Sequence, residues 1–203
     1  MNFCYKKIFH KNFLFFVLIF LISQNLLHAQ ESTFSSKNAL KKSISIQKTG
    51  MIVLGSWATL NIISGTVGFY KSNGSTKYFH QMNAAWNLVN LGIAGIGYRG
   101  ALNTKTDLSY ETSIYKMQNF EQLLLINAGL DLLYIGSGVW LWKNGLNKNS
   151  PRKIGYGKSI ILQGSFLLLF DTALYFIHNK QTRNLLEITD QLSFTSNGLL
   201  LSF

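Results

Sequence analysis

Four apolar stretches, roughly Thr49 to Tyr70, Phe79 to Tyr98, Phe120 to Trp142 and Ser159 to His178, constrain this chain more than any other feature. Each is close to the ~20 residues that an α-helix needs to cross the hydrocarbon core of a bilayer. Backbone in hydrocarbon must satisfy its own hydrogen bonds, so the stretches predict an all-α membrane protein, a four-helix transmembrane bundle. Composition agrees: only 13% of the 203 residues are charged, and a single proline suits long uninterrupted helices.

The formal net charge of +11 raises the question of nucleic acid, which basic domains bind by neutralising phosphates. The Lys and Arg residues are instead spread over connectors and the N-terminus, with no arginine-rich helix, so membrane topology explains them better and no nucleic-acid partner is expected. Residues 1–29 read as a secretory signal peptide: Lys6, Lys7 and Lys11 precede the apolar run Phe13 to Ile22, and Ala29 offers a small residue for cleavage. An uncleaved first helix is the competing reading. The only cysteine, Cys4, falls in that segment, which leaves the mature chain no disulfide and no thiolate metal site.

Residues 30–48 are polar and read as an exported flexible arm or a short interfacial helix, ahead of the transmembrane domain at 49–178. The loop at 143–158 carries Lys143, Lys148, Arg152, Lys153 and Lys158 with no acid, whereas Arg99, Lys105 and Lys116 are balanced by Asp107 and Glu111 in the next loop out. The positive-inside rule therefore predicts a multi-pass protein of a bacterial cytoplasmic (inner) membrane with both mature termini on the exported side. In the exported tail, residues 179–203, the alternation around Asn197-Gly198 predicts a short β-hairpin-like ending from Leu192 to Phe203.

Inside the apolar stretches, the polar residues recur with helical spacing. Asn83, Asn87 and Asn90 share one face, as do Asn127, Asp131 and Tyr134, and Asn61 with Gly65 and Gly68. Gln163 and Asp171 come from the fourth stretch, so every span contributes an amide or carboxyl to a polar intramembrane cluster of Asn61, Asn83, Asn87, Asn90, Asn127, Asp131, Gln163 and Asp171. Such groups must face protein, water or a ligand rather than lipid. For the asparagines, interhelical bonding is the preferred reading; for Asp131 and Asp171, a proton- or cation-binding pair and a structural role are evenly matched. Gly92, Gly95, Gly129, Gly136, Gly138 and Gly164 are expected at close helix contacts, and Gly155-Tyr156-Gly157 reads as the loop entering the fourth span.

No catalytic, cofactor-binding or metal-ligating set emerges. His80 and His178 fall at opposite interfaces and read as headgroup histidines, and no serine-centred nucleophile motif is present. The string Trp57-x-x-x-Asn61 with Gly65, then Tyr78-Phe-His-Gln-Met-Asn83-x-x-Trp86-Asn87-x-Val-Asn90, Asn127-x-x-x-Asp131-x-x-Tyr134, and Gly155-Tyr-Gly-Lys with Gln163-Gly-x-Phe-x-x-x-x-Asp171 resembles an uncharacterised bacterial family of integral membrane proteins, a domain of unknown function with four predicted spans. The resemblance covers about residues 45 to 180 and implies architecture but no activity. The expectation is a non-enzymatic structural or interaction component in contact with the lipid bilayer and with a membrane protein partner or a second copy. The alternative is a small transporter or a cation- or proton-binding protein that uses Asp131 and Asp171.

Overall fold

The computed structural model describes the backbone of residues 3–196 and the side chains of residues 36–187. Four α-helices follow one another, α1 (Phe3–Lys71), α2 (Gly74–Leu102), α3 (Tyr110–Asn147) and α4 (Pro151–Ser196), and no strand occurs among the described residues. Local chemistry sets the boundaries. Gly74 takes a φ of +60°, a left-handed turn that lets α2 reverse against α1 after two residues. Ser109 caps α3 by accepting a hydrogen bond from the Thr112 N–H at 3.3 Å, and Pro151 occupies the first turn of α4, where its missing N–H is harmless.

Short connections pair α1 with α2 and α3 with α4, and α4 also packs on α2. By contrast, no Cα of α2 lies within 8 Å of any Cα of α3. The two helices stand apart as walls, with α1 and α4 between them. The end of the bundle that carries the 103–109 connection is called the head below, and the end that carries 72–73 and 148–150 the base.

Surface and interior are inverted relative to a water-soluble domain. Leu60 (66%), Ile96 (78%), Leu133 (68%) and Leu169 (73%), one from each helix, are largely exposed, while Asn83, Asn87, Asn90, Asp131, Gln163 and Asp171 are buried. α1, α3 and α4 are long and apolar enough to cross a membrane. α2, expected as a fourth such span over Phe79 to Tyr98, is not among them. Its inward asparagines and His80 lower its mean apolarity, although its outward side carries the exposed Leu88 and Ile96.

The helices outrun the apolar stretches. Ser36–Lys71 is 36 residues, ~54 Å of helix against the ~30 Å of a hydrocarbon core. Residues 36–48, expected as a flexible arm or short interfacial helix, are thus continuous with α1 and packed: Ala39, Leu40 and Ile44 join Ala101, Ile114, Met117 and Leu185 in an apolar core at the head. Polarity misled the reading there because Asn38, Lys41 and Lys42 face outward while every third or fourth residue, Ser36 and Ser43 among them, is buried. Similarly, Gly155-Tyr156-Gly157 is no loop but the first turns of α4. Leu192 to Ser196, expected in a hairpin, belong to the end of α4. The rest of that hairpin, residues 197–203, lies outside the described residues. So do the side chains of the expected signal segment, residues 1–29.

At the base, α3 and α4 approach through Gly138 and Gly157. A methyl group at Gly157 would sit 2.6 Å from the Gly138 carbonyl oxygen and 2.8 Å from the Trp142 Cα, where only backbone could yield. Gly164 likewise packs on α3, with 2.9 Å between such a methyl and Ile135. Gly92, Gly95, Gly129 and Gly136, expected at contacts, meet nothing within 4 Å. Gly157→Ala is therefore expected to lower stability by about 1–3 kcal/mol through overpacking. Gly129→Ala, at an open helical position, is expected to be neutral or stabilising by up to about 1 kcal/mol. Thermal unfolding of the two variants in detergent micelles checks the contrast.

Candidate functional site: an amide ring and an acid-lined cavity

The polar interior is arranged in three tiers. Nearest the base is a closed ring of hydrogen bonds. Trp57 Nε1 of α1 donates to Gln163 Oε1 of α4 at 3.1 Å, Gln163 Nε2 donates to Asn83 Oδ1 of α2, Asn83 Nδ2 donates to Asn61 Oδ1 of α1 at 2.9 Å, and Asn61 Nδ2 donates to the Trp57 carbonyl at 2.8 Å. The Trp57 ring lies flat on Phe166, 3.8 Å between centroids, which fixes the indole N–H toward Gln163. Asn87 donates to the Asn83 carbonyl at 2.8 Å and Asn90 to Asn87 Oδ1 at 3.3 Å, so the α2 asparagines extend the ring toward the middle of the bundle. These amides satisfy one another. Their helical spacing follows from the task, since one face of α2 must meet both α1 and α4.

The middle tier behaves differently. Asp131 of α3 and Asp171 of α4 are 3% and 5% exposed, their carboxyl groups adjoin, and Asn127 adjoins Asp171 one turn along α3 from Asp131. Asp131 Oδ2 is buried without a hydrogen-bond partner among the described residues. Both acids line a cavity of about 390 Å³ between the facing sides of α2 and α3. Asn90, Asn127 and Gln47 supply its amides, Trp86 and Tyr134 an indole N–H and a phenol, and no Lys, Arg or His among the described residues lines it. Trp86 and Tyr134 reach across the gap as an edge-to-face pair, 4.9 Å between centroids. The sequence-predicted cluster is thus split: Asn61, Asn83, Asn87 and Gln163 form the ring, Asn127, Asp131 and Asp171 border the cavity, and Asn90 touches both.

Two carboxyl groups in contact hold a proton between them or a cation, because two adjacent charges in a low-dielectric interior repel strongly. Removing a carboxylate from water without a partner is costly, and no positive side chain among the described residues lines this cavity to compensate. The arrangement therefore suits uptake of a positive species.

A third tier, toward the head, escaped the sequence reading. His178 Nδ1 of α4 meets Glu121 Oε1 of α3 at 2.9 Å, and His178 Nε2 meets Ser43 Oγ of α1 at 2.5 Å. Thr182 Oγ1 donates to Glu121 Oε1 at 2.5 Å, Asn179 Nδ2 donates to Glu121 Oε2 at 2.9 Å, and Gln47 Nε2 donates to Ser43 Oγ at 3.2 Å. His178 is fully enclosed rather than a headgroup histidine. Serine, histidine and carboxyl stand in the order that serves nucleophilic catalysis, but Ser43 is fully buried and does not line the acidic cavity. Its geometry is that of a fastener joining α1, α3 and α4. The available signal was the acid Glu121 inside an apolar stretch, together with His178 and Thr182 one turn apart.

An all-helical bundle with three helices able to cross a membrane, built around a polar interior with an acid-lined cavity, defines the class of protein. The chain belongs to the family of unknown function DUF6992, whose model matches residues 53–172, more than half of its length. That match takes in the amide ring, both aspartates and the cavity walls of α2 and α3; Ser43, His178 and Thr182 lie outside it. No curated protein and no solved structure matches the chain.

Proposed function

We propose that this is a non-enzymatic, multi-pass protein of a bacterial cytoplasmic membrane, mature termini on the exported side, that binds a proton or a cation between Asp131 and Asp171. The amide ring organises the bundle that holds this site. One observation carries the reading: the amides close on one another, whereas a buried carboxyl oxygen of Asp131 has no hydrogen-bond partner among the described residues, beside a cavity that none of their positive side chains lines. An intramembrane acid is otherwise expected to be paired within the protein. The balance of basic residues between loops supports the orientation, and the bilayer, with a second copy or a membrane partner on the apolar outer faces, is the expected surrounding.

Trp86 lines the cavity opposite Tyr134 and reports on its charge. In the purified chain in nanodiscs, emission from Trp86 is expected to change on addition of a cation or on a change of proton concentration. Trp86→Phe identifies that component of the signal. In Asp131→Asn and Asp171→Asn the response is expected to fall by about tenfold or more, since bonds to a charged group contribute ~1.5–3 kcal/mol. An unchanged response in both folded variants would leave the acids with a structural role only.

A further inference from the structure

The cavity is shaped for more than a bare ion. Its ~390 Å³ falls within the ~300–1,000 Å³ of small-molecule sites, and most of its walls are apolar: Val89 and Ile93 from α2, Leu123 and Leu130 from α3, Phe170 from α4. An inorganic cation wants a close shell of oxygens, and hydrocarbon walls provide none. Its amide and carboxyl groups are Gln47, Asn90, Asn127, Asp131 and Asp171, a minority of the lining.

The rim lies at membrane depth. Val89 is 64% exposed, Ile93 51%, Leu123 52% and Leu130 41%, all of them within the apolar stretches of α2 and α3 whose backbones stay more than 8 Å apart. A molecule dissolved in the bilayer therefore reaches the acids sideways, between the walls, without crossing water. Trp86 and Tyr134 line the same cavity as the acids, and aromatic surroundings favour an organic cation.

We infer that the cavity binds an amphipathic organic ammonium ion drawn from the membrane, its charged nitrogen on Asp131 and Asp171 and its hydrocarbon chain along Val89, Ile93, Leu123 and Leu130. This rests on the reading of the two aspartates as a cation site. A protonated amine supplies a positive charge that no described residue brings to the cavity and donates to the Asp131 carboxyl, while its chain covers the apolar walls.

The test uses the full chain in phosphatidylcholine nanodiscs with 11-bromoundecylamine as probe and quenching of Trp86 as readout. Neutral 11-bromoundecanol, which partitions into the same bilayer, is the reference, and Trp86→Phe isolates the signal. The amine is expected to quench saturably at about tenfold lower concentration than the alcohol, an advantage that Asp131→Asn and Asp171→Asn abolish. Leu130→Trp, at the exposed rim, leaves both acids in place. With its added indole emission subtracted, it is expected to weaken the amine effect. If the amine shows no advantage over the alcohol while sodium, potassium or protons still act through the acids, this inference fails and the cation site stands. If neither amine nor inorganic cation distinguishes wild type from the aspartate variants, both fail.

Discussion

Glu121→Leu is expected to destabilise the protein by about 3–5 kcal/mol, the largest loss of any single substitution considered, because it removes one partner from a buried polar knot. His178 Nδ1, Thr182 Oγ1 and Asn179 Nδ2 all converge on that carboxyl group. Leucine leaves all three without an acceptor, and His178 and Thr182 have no water to replace it, being 0% and 2% exposed. Glu121→Gln keeps one acceptor oxygen and is expected to lose less than half as much. Denaturant-induced unfolding followed by circular dichroism separates the two. A leucine variant as stable as the wild type would show that the knot does not hold the head of the bundle together.

Asn83→Leu comes second, with an expected loss of about 2–3 kcal/mol. Asn83 accepts from Gln163 and donates to Asn61, so its removal opens the ring on both sides. A single interhelical hydrogen bond in a membrane contributes only ~1 kcal/mol, but the loss here includes two buried amides left unpaired. It also falls where α1, α2 and α4 meet. Asn87, which donates only to the Asn83 carbonyl and accepts from Asn90, provides the milder comparison. Unfolding of Asn83→Leu and Asn87→Leu under identical conditions checks the order; equal losses would contradict a ring centred on Asn83.

The ring and the acid pair were both legible because each is written in one helix at a time. Asn83, Asn87 and Asn90 repeat at three and four residues, and an aspartate inside an apolar stretch can face only inward. What the spacing could not give was the partner. It grouped Asn127 and Asp131 with the asparagines of α2, whereas the cavity holds those two faces apart. The knot of Ser43, Glu121 and His178 joins residues up to 135 positions apart, and none of its members belongs to a local motif. Residues 36–48 misled for a related reason: their polarity resembles a connector's, yet Ser36 and Ser43 are buried beside Leu40. The glycines divided on geometry alone, since Gly138 touches a neighbouring helix and Gly136, two residues earlier, does not.

In the proposed function labour is divided: the amides fasten the bundle, and the acids await a positive ligand. Buried acids kept for binding are held at the expense of stability, whereas fasteners are not. Melting temperature measured on the Asp131→Asn/Asp171→Asn double variant, beside Asn83→Leu, tests this most directly. The double variant is expected to melt at or above the wild-type temperature, while Asn83→Leu melts well below it. A double variant that melts as low as Asn83→Leu would make the aspartates fasteners too and overturn that division.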